Sequence, residues 1–481
     1  MCGLIVAGHP AIVEQGIVAL AHRGPDHQDV SEHDGWHLGH TRLSILDLSA
    51  AANQPMRRGR TTVVYNGELW NYEQLAAELQ AGTRPLSTGD TEVLCHLLDQ
   101  KGEAILPDLD GQFAVAWVTD GTLRVARDRH GEIPVHYGYH PKYRTVVVAS
   151  ERKALLDVGV APQTVRWVPP GTVMSWASPI QQPVVREWHT HDLRPLPDDE
   201  ETAVERVDGL LAAATRKRMV TSDVPVAVLL SGGIDSSAVA FHARNHYPNL
   251  VGYTAVFDTK SKDLRCAREV AEHLGMELRE VPVPAPSAAD LAAVVRAIEL
   301  PHKAQVEIGW ACLHLADRLR SDGMKVVLSG EGADELWGSY GRAALTIRDL
   351  GWHRARGKFV VDQHRKNFAR VNKVFMARSV EGRLPFADRF LVEYGLGLRQ
   401  DAVTGWLPGQ KPTALRTILP GQDKKVLRDG YWHRLPHSVI QRQKAAFQTE
   451  AKIPEACLQV VNNPQKFYRS EFVKAFGSKA A

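Results

Sequence analysis

The apolar run Val224-Pro225-Val226-Ala227-Val228-Leu229-Leu230 passes directly into Ser231-Gly232-Gly233-Ile234-Asp235-Ser236-Ser237, and this junction constrains the fold more than any other stretch. A short apolar run bounded by turn residues reads as a buried strand, and a helix is expected to start near Ser236. Glycines let the backbone approach a phosphate closely, and helix N-terminal N–H groups flanked by hydroxyls hold an anion. The loop is not the GxxxxGK[ST] loop of ordinary nucleotide hydrolases. A second loop, Leu328-Ser329-Gly330-Glu331-Gly332-Ala333-Asp334-Glu335, follows another expected strand from Lys325. Strands at Leu250 to Phe257 and Leu278 to Val283 alternate with a helix near Asp263 to Leu274 and a long helical region from Ala288 to Asp322. Such alternation predicts a parallel α/β sheet with helices on both faces, whose strand carboxyl ends bind ligands. Beyond Gly338 the chain reads as mainly helical.

The first part of the chain has a different texture. Short β-rich runs, Thr61 to Tyr65, Phe113 to Trp117 and Thr145 to Val148, are separated by Gly, Asp and Pro turns. Helices are expected near Tyr72 to Leu79 and Thr91 to Gln100. This predicts an α+β domain of antiparallel sheets sandwiched by helices. The stretch from Ser178 to Glu200, with Pro179, Pro183, Pro195 and Pro197 before Asp198-Asp199-Glu200-Glu201, reads as a connector into a helix near Thr202 to Met219. At 481 residues the chain is too long for one ordinary core. Two domains are expected, over 2–185 and 200–465, and Glu471 to Ala481 is small and polar enough to fray.

The net charge of +3, from 58 basic and 55 acidic residues, predicts neither nucleic-acid nor membrane-surface binding. No run approaches the roughly 20 apolar residues of a membrane span, and MCGLIVAGHP lacks the form of a signal peptide, so the expected compartment is the cytoplasm. Five scattered cysteines with no CxxC pair read as free thiols. Cys2 differs by position. Removal of Met1 would leave an α-amine on the same residue as the thiol, a nucleophile with its own base. With Met1 retained that amine is blocked. Either processing removes it or this half is inactive.

Cys2-Gly3, His22-Arg23-Gly24-Pro25-Asp26, Arg42-Leu43-Ser44-Ile45-Leu46-Asp47, Tyr65-Asn66-Gly67-Glu68-Leu69 and Thr88-Gly89-Asp90-Thr91-Glu92 follow in an order and spacing that resemble the glutamine amidotransferase domain of the N-terminal nucleophile class. The resemblance spans nearly all of residues 2–170. It implies Cys2 as nucleophile, with Arg42 on the α-carboxylate of glutamine and Glu68 and Asp90 on its α-ammonium. Asn66 and Gly67 would form the oxyanion hole. Arg23, Leu43 and Ile45 would frame the pocket; Arg23 and Asp26 read equally well as a structural turn with an ion pair.

The SGGIDSS loop matches the pyrophosphate loop of enzymes that cleave ATP between its α and β phosphates. Together with Ser261-Lys262-Asp263-Leu264, the SGEGADE loop, Ser379-Val380-Glu381-Gly382-Arg383-Leu384-Pro385-Phe386 and Arg442-Gln443-Lys444, it resembles the glutamine-hydrolysing asparagine synthetase family, over most of residues 2–450. The resemblance implies a cytoplasmic ligase of amide biosynthesis using glutamine, ATP and Mg2+, and leaves room for a homodimer. ATP would contact Leu230, Ser231, Gly232, Gly233, Asp235, Ser236, Ser237, Val256, Ser329 and Gly330, with magnesium on Asp235 and Asp334. Glu331 would serve acyl-adenylate formation, and Lys444, with Lys424 as a weaker candidate, would balance charge as ammonia attacks and AMP leaves. Glu381 and Arg383 are either acceptor contacts or a buried structural ion pair.

The resemblance breaks where that family carries paired threonines and an arginine for aspartate. Here the matching positions read Ala304-Gln305-Val306-Glu307. A cation has become an anion, and a buried aspartate site tolerates that poorly. The expected acceptor is therefore a small-molecule or peptide carboxylate other than aspartate, with Glu307 facing a substrate ammonium or guanidinium, unless the loop is locally shifted. L-Aspartate itself is the alternative. A lactam-forming ligase would need no glutaminase, so the complete Cys2, Arg42, Asn66 and Asp90 set argues against it, and the intact loops argue against a non-catalytic regulator.

Overall fold

Strand β13 (Val226–Leu229) and the helix Ile234–His246 stand on either side of the first glycine-rich loop in the computed structural model, which describes residues 1–339, 343–404, 423–442 and 453–477. Lys444, Gln443 and the last four residues lie outside the described residues.

Residues 3–187 form two antiparallel six-stranded sheets. The first contains β1 (Gly3–Ala7), β2 (His27–His33), β3 (Trp36–Arg42), β8 (His136–His140), β9 (Thr145–Ala149) and β10 (Arg166–Trp167), in the order β10-β8-β9-β1-β3-β2. The second contains β4 (Met56–Arg58), β5 (Thr61–Leu69), β6 (Gly111–Thr119), β7 (Thr122–Arg127), β11 (Thr172–Trp176) and β12 (Val184–Glu187), in the order β12-β11-β7-β6-β5-β4. Leu4, Val6 and Leu38 of the first sheet and Val64, Ala114 and Ala116 of the second share one buried core, as the alternation of apolar residues along each strand demands. The helices Pro10–Leu20 and Asp90–Lys101 cover the outer faces with Ile12, Val13, Leu94 and Leu98. Strand β12 falls inside the stretch read from sequence as a connector. It is exposed at every residue, so it carries no apolar alternation to reveal it.

After β12 the helix Glu200–Val220 begins, capped by Asp199, whose carboxylate accepts from Thr202 N. The third sheet is parallel, with β14 (Val251–Val256), β15 (Glu277–Pro282), β16 (Val326–Leu328) and β17 (Glu381–Arg383) in the order β15-β14-β13-β16-β17. The chain thus joins an α+β antiparallel part to an α/β parallel-sheet part that continues mainly as helices. The region read as one long helix is two, Ala288–Ile298 and Lys303–Ser321. Glu299 takes a left-handed conformation (φ 57°) that ends the first, and Pro301 keeps the second from starting sooner. No described helix is long and apolar enough to cross a membrane.

Candidate functional site

Two centres emerge, one at each end of the contact between the antiparallel and parallel parts. In the first, Cys2 lies at the start of β1 and is buried, with its backbone N–H donating to Asn66 Oδ1 at 2.8 Å. That bond fixes the Asn66 amide, whose Nδ2 donates to Ser150 Oγ at 3.4 Å. Burial pushes the Cys2 thiol above its usual range, partly offset by the neighbouring N-terminal amine and the Leu43 backbone. Gly67 sits in β5 where a Cβ would lie 2.2 Å from Gln112 O, so only glycine fits. Leu43 and Ile45 are buried beside them.

The two carboxylates expected to receive an α-ammonium are brought together. Asp90 accepts from Leu69 N at 2.9 Å and from Tyr65 Oη at 3.0 Å, while Glu68 Oε2 is buried with no hydrogen-bond partner. Burial raises Asp90 to about 6 and, with the Asp90 charge beside it, raises Glu68 well above the carboxylate range. Arg383, 3.4 Å from Glu68, and the N-terminal amine offset this only in part. Arg42 donates to Ser49 O and Asn53 Oδ1, each at 2.7 Å, and to Asp47 O. Its guanidinium therefore holds the 47–53 loop. Arg23 and Asp26 do not pair with each other. Arg23 donates to Cys2 O at 2.8 Å and to Glu151 at 2.7 Å, and Asp26 pairs with Lys325 at 2.8 Å.

The second centre lies at the carboxyl ends of the adjacent strands β13 and β16. Ser231, Ser236 and Ser237 close the first loop on itself, Ser236 Oγ reaching Ser231 Oγ at 3.0 Å and Ser237 Oγ reaching Gly233 O at 2.8 Å. The helix that follows has no side-chain cap, which leaves its first turn suited to an anion. A Cβ on Gly330 would come within 2.8 Å of Ser236 N, so the two glycine-rich loops meet backbone to backbone. Leu230 and Ser329 are buried at the strand ends, and Val256 closes β14 alongside. Asp235 and Asp334 converge on the buried ammonium of Lys424, which lies 2.6 Å from Asp334 Oδ1. Asp235 Oδ1 is buried without a hydrogen-bond partner. Two hard carboxylates aimed at one cation fit magnesium, and Lys424 Nζ stands where that charge would be. Arg442 reaches Gly232 O at 3.1 Å from the far side.

Glu331 pairs with Arg370, a buried residue that sequence reading missed. Arg370 also donates to Gln305 Oε1 at 2.7 Å, and Gln305 Nε2 donates to Asn367 Oδ1 at 2.8 Å. Glu307, two residues along the same helix, faces away from this group. It is buried with both oxygens lacking hydrogen-bond donors, and its recorded ion partner is Lys303 at 3.4 Å. Burial raises its carboxyl. Glu381 and Arg383 are elsewhere again, at the contact between the two parts. Glu381 holds the Met1 ammonium and Arg383, and Arg383 donates to Thr221 O at 3.1 Å and lies 3.4 Å from Glu68. The structure therefore does not bring Glu307, Glu381 and Arg383 together. The helix Asn367–Met376 supplied a signal for the missed residues, since it buries Arg370, Asn372 and Lys373 among apolar neighbours.

A family model described as a glutamine amidotransferase domain matches residues 1–183, and one described as asparagine synthase matches 206–371 and 350–464. Asparagine synthetase B [glutamine-hydrolyzing] of Escherichia coli K12 is 30% identical over 450 residues, covering 89% of this chain and 77% of that protein. The glutamine-hydrolyzing asparagine synthetase of Zea mays is 30% identical over 466 residues, covering 89% and 73%.

Because only ionised Asp90 attracts an ammonium, and its carboxyl titrates at about 6, the KM for glutamine is expected to rise as pH falls through that value. Asp90→Asn should raise KM well above pH 6, by about tenfold or more for a charged hydrogen bond of about 1.5–3 kcal/mol, and converge on the parent below it, where the parent's own carboxyl is neutral. Initial rates of glutamate formation between pH 5 and 8 check both; a pH-independent KM in the parent enzyme contradicts the assignment.

Proposed function

The chain belongs to the glutamine-hydrolysing asparagine synthetase family, carbon–nitrogen ligases that take their amide nitrogen from glutamine, and on that premise we propose that it amidates a carboxylate other than aspartate. The observation that carries this reading is the Gln305–Arg370–Glu331 group together with the buried Glu307 that faces away from it. Where relatives named for aspartate are expected to offer hydroxyls and a cation, this chain offers an amide that clamps Arg370 onto Glu331 and a carboxylate turned the other way.

Once Met1 is removed, the Cys2 amine takes the thiol proton and the thiolate attacks the glutamine carboxamide. The Asn66 side-chain amide and the Gly67 N–H stabilise the tetrahedral oxyanion, ammonia leaves, and water releases glutamate. In the second centre the acceptor carboxylate attacks the α-phosphorus of ATP, giving an acyl-adenylate and pyrophosphate. Ammonia then displaces AMP to form the amide. The SGGIDSS loop and its helix start hold the phosphates, and Asp235 and Asp334 would hold magnesium, which neutralises charge on the departing pyrophosphate. Lys424, which pairs with both aspartates, would be available to the phosphates with that cation bound. Glu331, released from Arg370, orients the attack, and Lys444 offsets the charge on AMP. The alternative acceptor, L-aspartate, is favoured by the name of the Escherichia coli relative, an asparagine synthetase.

Cys2→Ala is expected to abolish glutamine-dependent amide and AMP formation while ammonium-dependent formation stays within about twofold, because the two chemistries occupy separate centres; equal loss of both contradicts the scheme. Gln305→Thr, which removes the amide that holds Arg370 on Glu331, should raise aspartate-dependent pyrophosphate release by about tenfold or more, the worth of one charged contact. An unchanged rate in a folded variant counts against the acceptor reading.

A further inference from the structure

A cavity of about 100 Å³ opens where the antiparallel part meets the helices of the parallel part, and its walls are cationic. It is lined by His136 of β8, Arg152, Val165, Arg166, Trp167 and, from the other part of the chain, Arg365. Three guanidiniums face one space whose lining contains no acid. The Arg166 guanidinium donates to the carbonyls of Gln163 and Val165 at 2.7 and 2.9 Å, and Arg365 Nε donates to His364 Nε2 at 2.9 Å. Neither pairs with a carboxylate among the described residues. At the base, Arg152 is buried and lies over the rings of Phe472 and Phe476. His136 is 2% exposed with Nδ1 unpartnered, and its ring lies 4.0 Å from Trp167. Arg127 and Lys373 flank the same indole at 5.1 and 4.7 Å. Among the described residues Glu299 lies in reach, and it accepts from the N–H groups of Arg152 and Lys153 and pairs with the Lys373 ammonium.

We propose that this cavity is a site for a small oxyanion, inorganic phosphate or a short dicarboxylate, at the joint between the antiparallel and parallel parts. Clustered guanidiniums recognise such groups through paired N–H donors, and their mutual repulsion is relieved when an anion enters. The volume is about that of three waters, which suits a phosphate or a four-carbon diacid and excludes a nucleotide. The position gives the anion a way to act at a distance. Arg152 opens the helix Arg152–Asp157, and Glu151 just before it holds Arg23, which in turn holds the Cys2 carbonyl. The first N–H groups of that helix rest on Glu299 of the parallel part. An anion drawing on Arg152 pulls on both supports, so its occupancy tunes glutamine hydrolysis.

The test uses the full-length enzyme and its Arg166→Ala/Arg365→Ala variant, both exposed positions at the cavity mouth, with Arg166→Lys/Arg365→Lys as a variant that keeps charge but loses the fork. Thermal unfolding and calorimetric titration are followed with sodium phosphate, with sodium succinate and with sodium chloride at matched ionic strength. Phosphate or succinate at millimolar concentration is expected to raise the melting temperature of the parent and change its glutaminase rate at least twofold. Both effects should be lost in the alanine variant, whose rate without anion stays within twofold. The anion that acts identifies the ligand class. A shift that survives in the alanine variant places the anion elsewhere, the ATP loop included, and overturns the proposal, as does a parent that responds to neither anion.

Discussion

The carboxylate of Glu381 is the constraint on which the two centres depend. It lies on β17, the edge strand of the parallel sheet, fully buried, and faces the Met1 ammonium, Arg383 and Gln112 Nε2. Burial alone would raise its carboxyl; the ammonium and the guanidinium bring it below the usual range. A buried carboxylate is tolerated only when paired, and once Met1 is removed Arg383 and Gln112 Nε2 remain to hold it. Its partners come from both parts of the chain, so β17 requires the antiparallel face and the Cys2 pocket requires β17. The same strand also fixes the second phosphate loop, because Ser329 N donates to Arg383 O at 3.0 Å. Three residues of one short strand thus tie the start of the chain to the place where ATP is expected to react.

Charge is also the theme of the second centre. Lys424 fills the space between Asp235 and Asp334, and Arg370 fills the space beside Glu331. In each case a protein cation neutralises acids that a substrate complex would neutralise differently. Substrate entry then exchanges one ion pair for another, which limits the desolvation cost that an empty acidic site would carry. Gln305 braces the second pair, since its Oε1 accepts from Arg370 at 2.7 Å.

Much of this was legible in the sequence. Strand β13 and its loop are local features, because an apolar run followed by glycines has few other conformations, and Asp90 and Glu68 met as the motif order implied. The Glu307 environment was not legible. Its replacement of a cation could be read, but which face of the helix it occupies depends on the phase set by the break at Glu299 and Pro301. Arg370 and Lys373 escaped because a charged residue in an apolar helix carries no mark of its partner when that partner, Glu331 or Glu299, is 39 or 74 residues away. Glu381 and Arg383 were recognised as a candidate ion pair, yet their contact with Met1 spans 380 residues and only the packing of two sheets reveals it.

The proposal that unites these observations is that the acceptor site has been recast around Gln305, Arg370 and Glu331, with Glu307 turned away from it. Pyrophosphate release by the parent enzyme, with ATP, magnesium and ammonium supplied and a panel of amino acids and basic-group-bearing carboxylates offered one at a time, measures it most directly. The account predicts that a carboxylate other than aspartate drives release at least about tenfold faster than aspartate does, the factor that one charged contact is worth. Robust release with aspartate alone would contradict it.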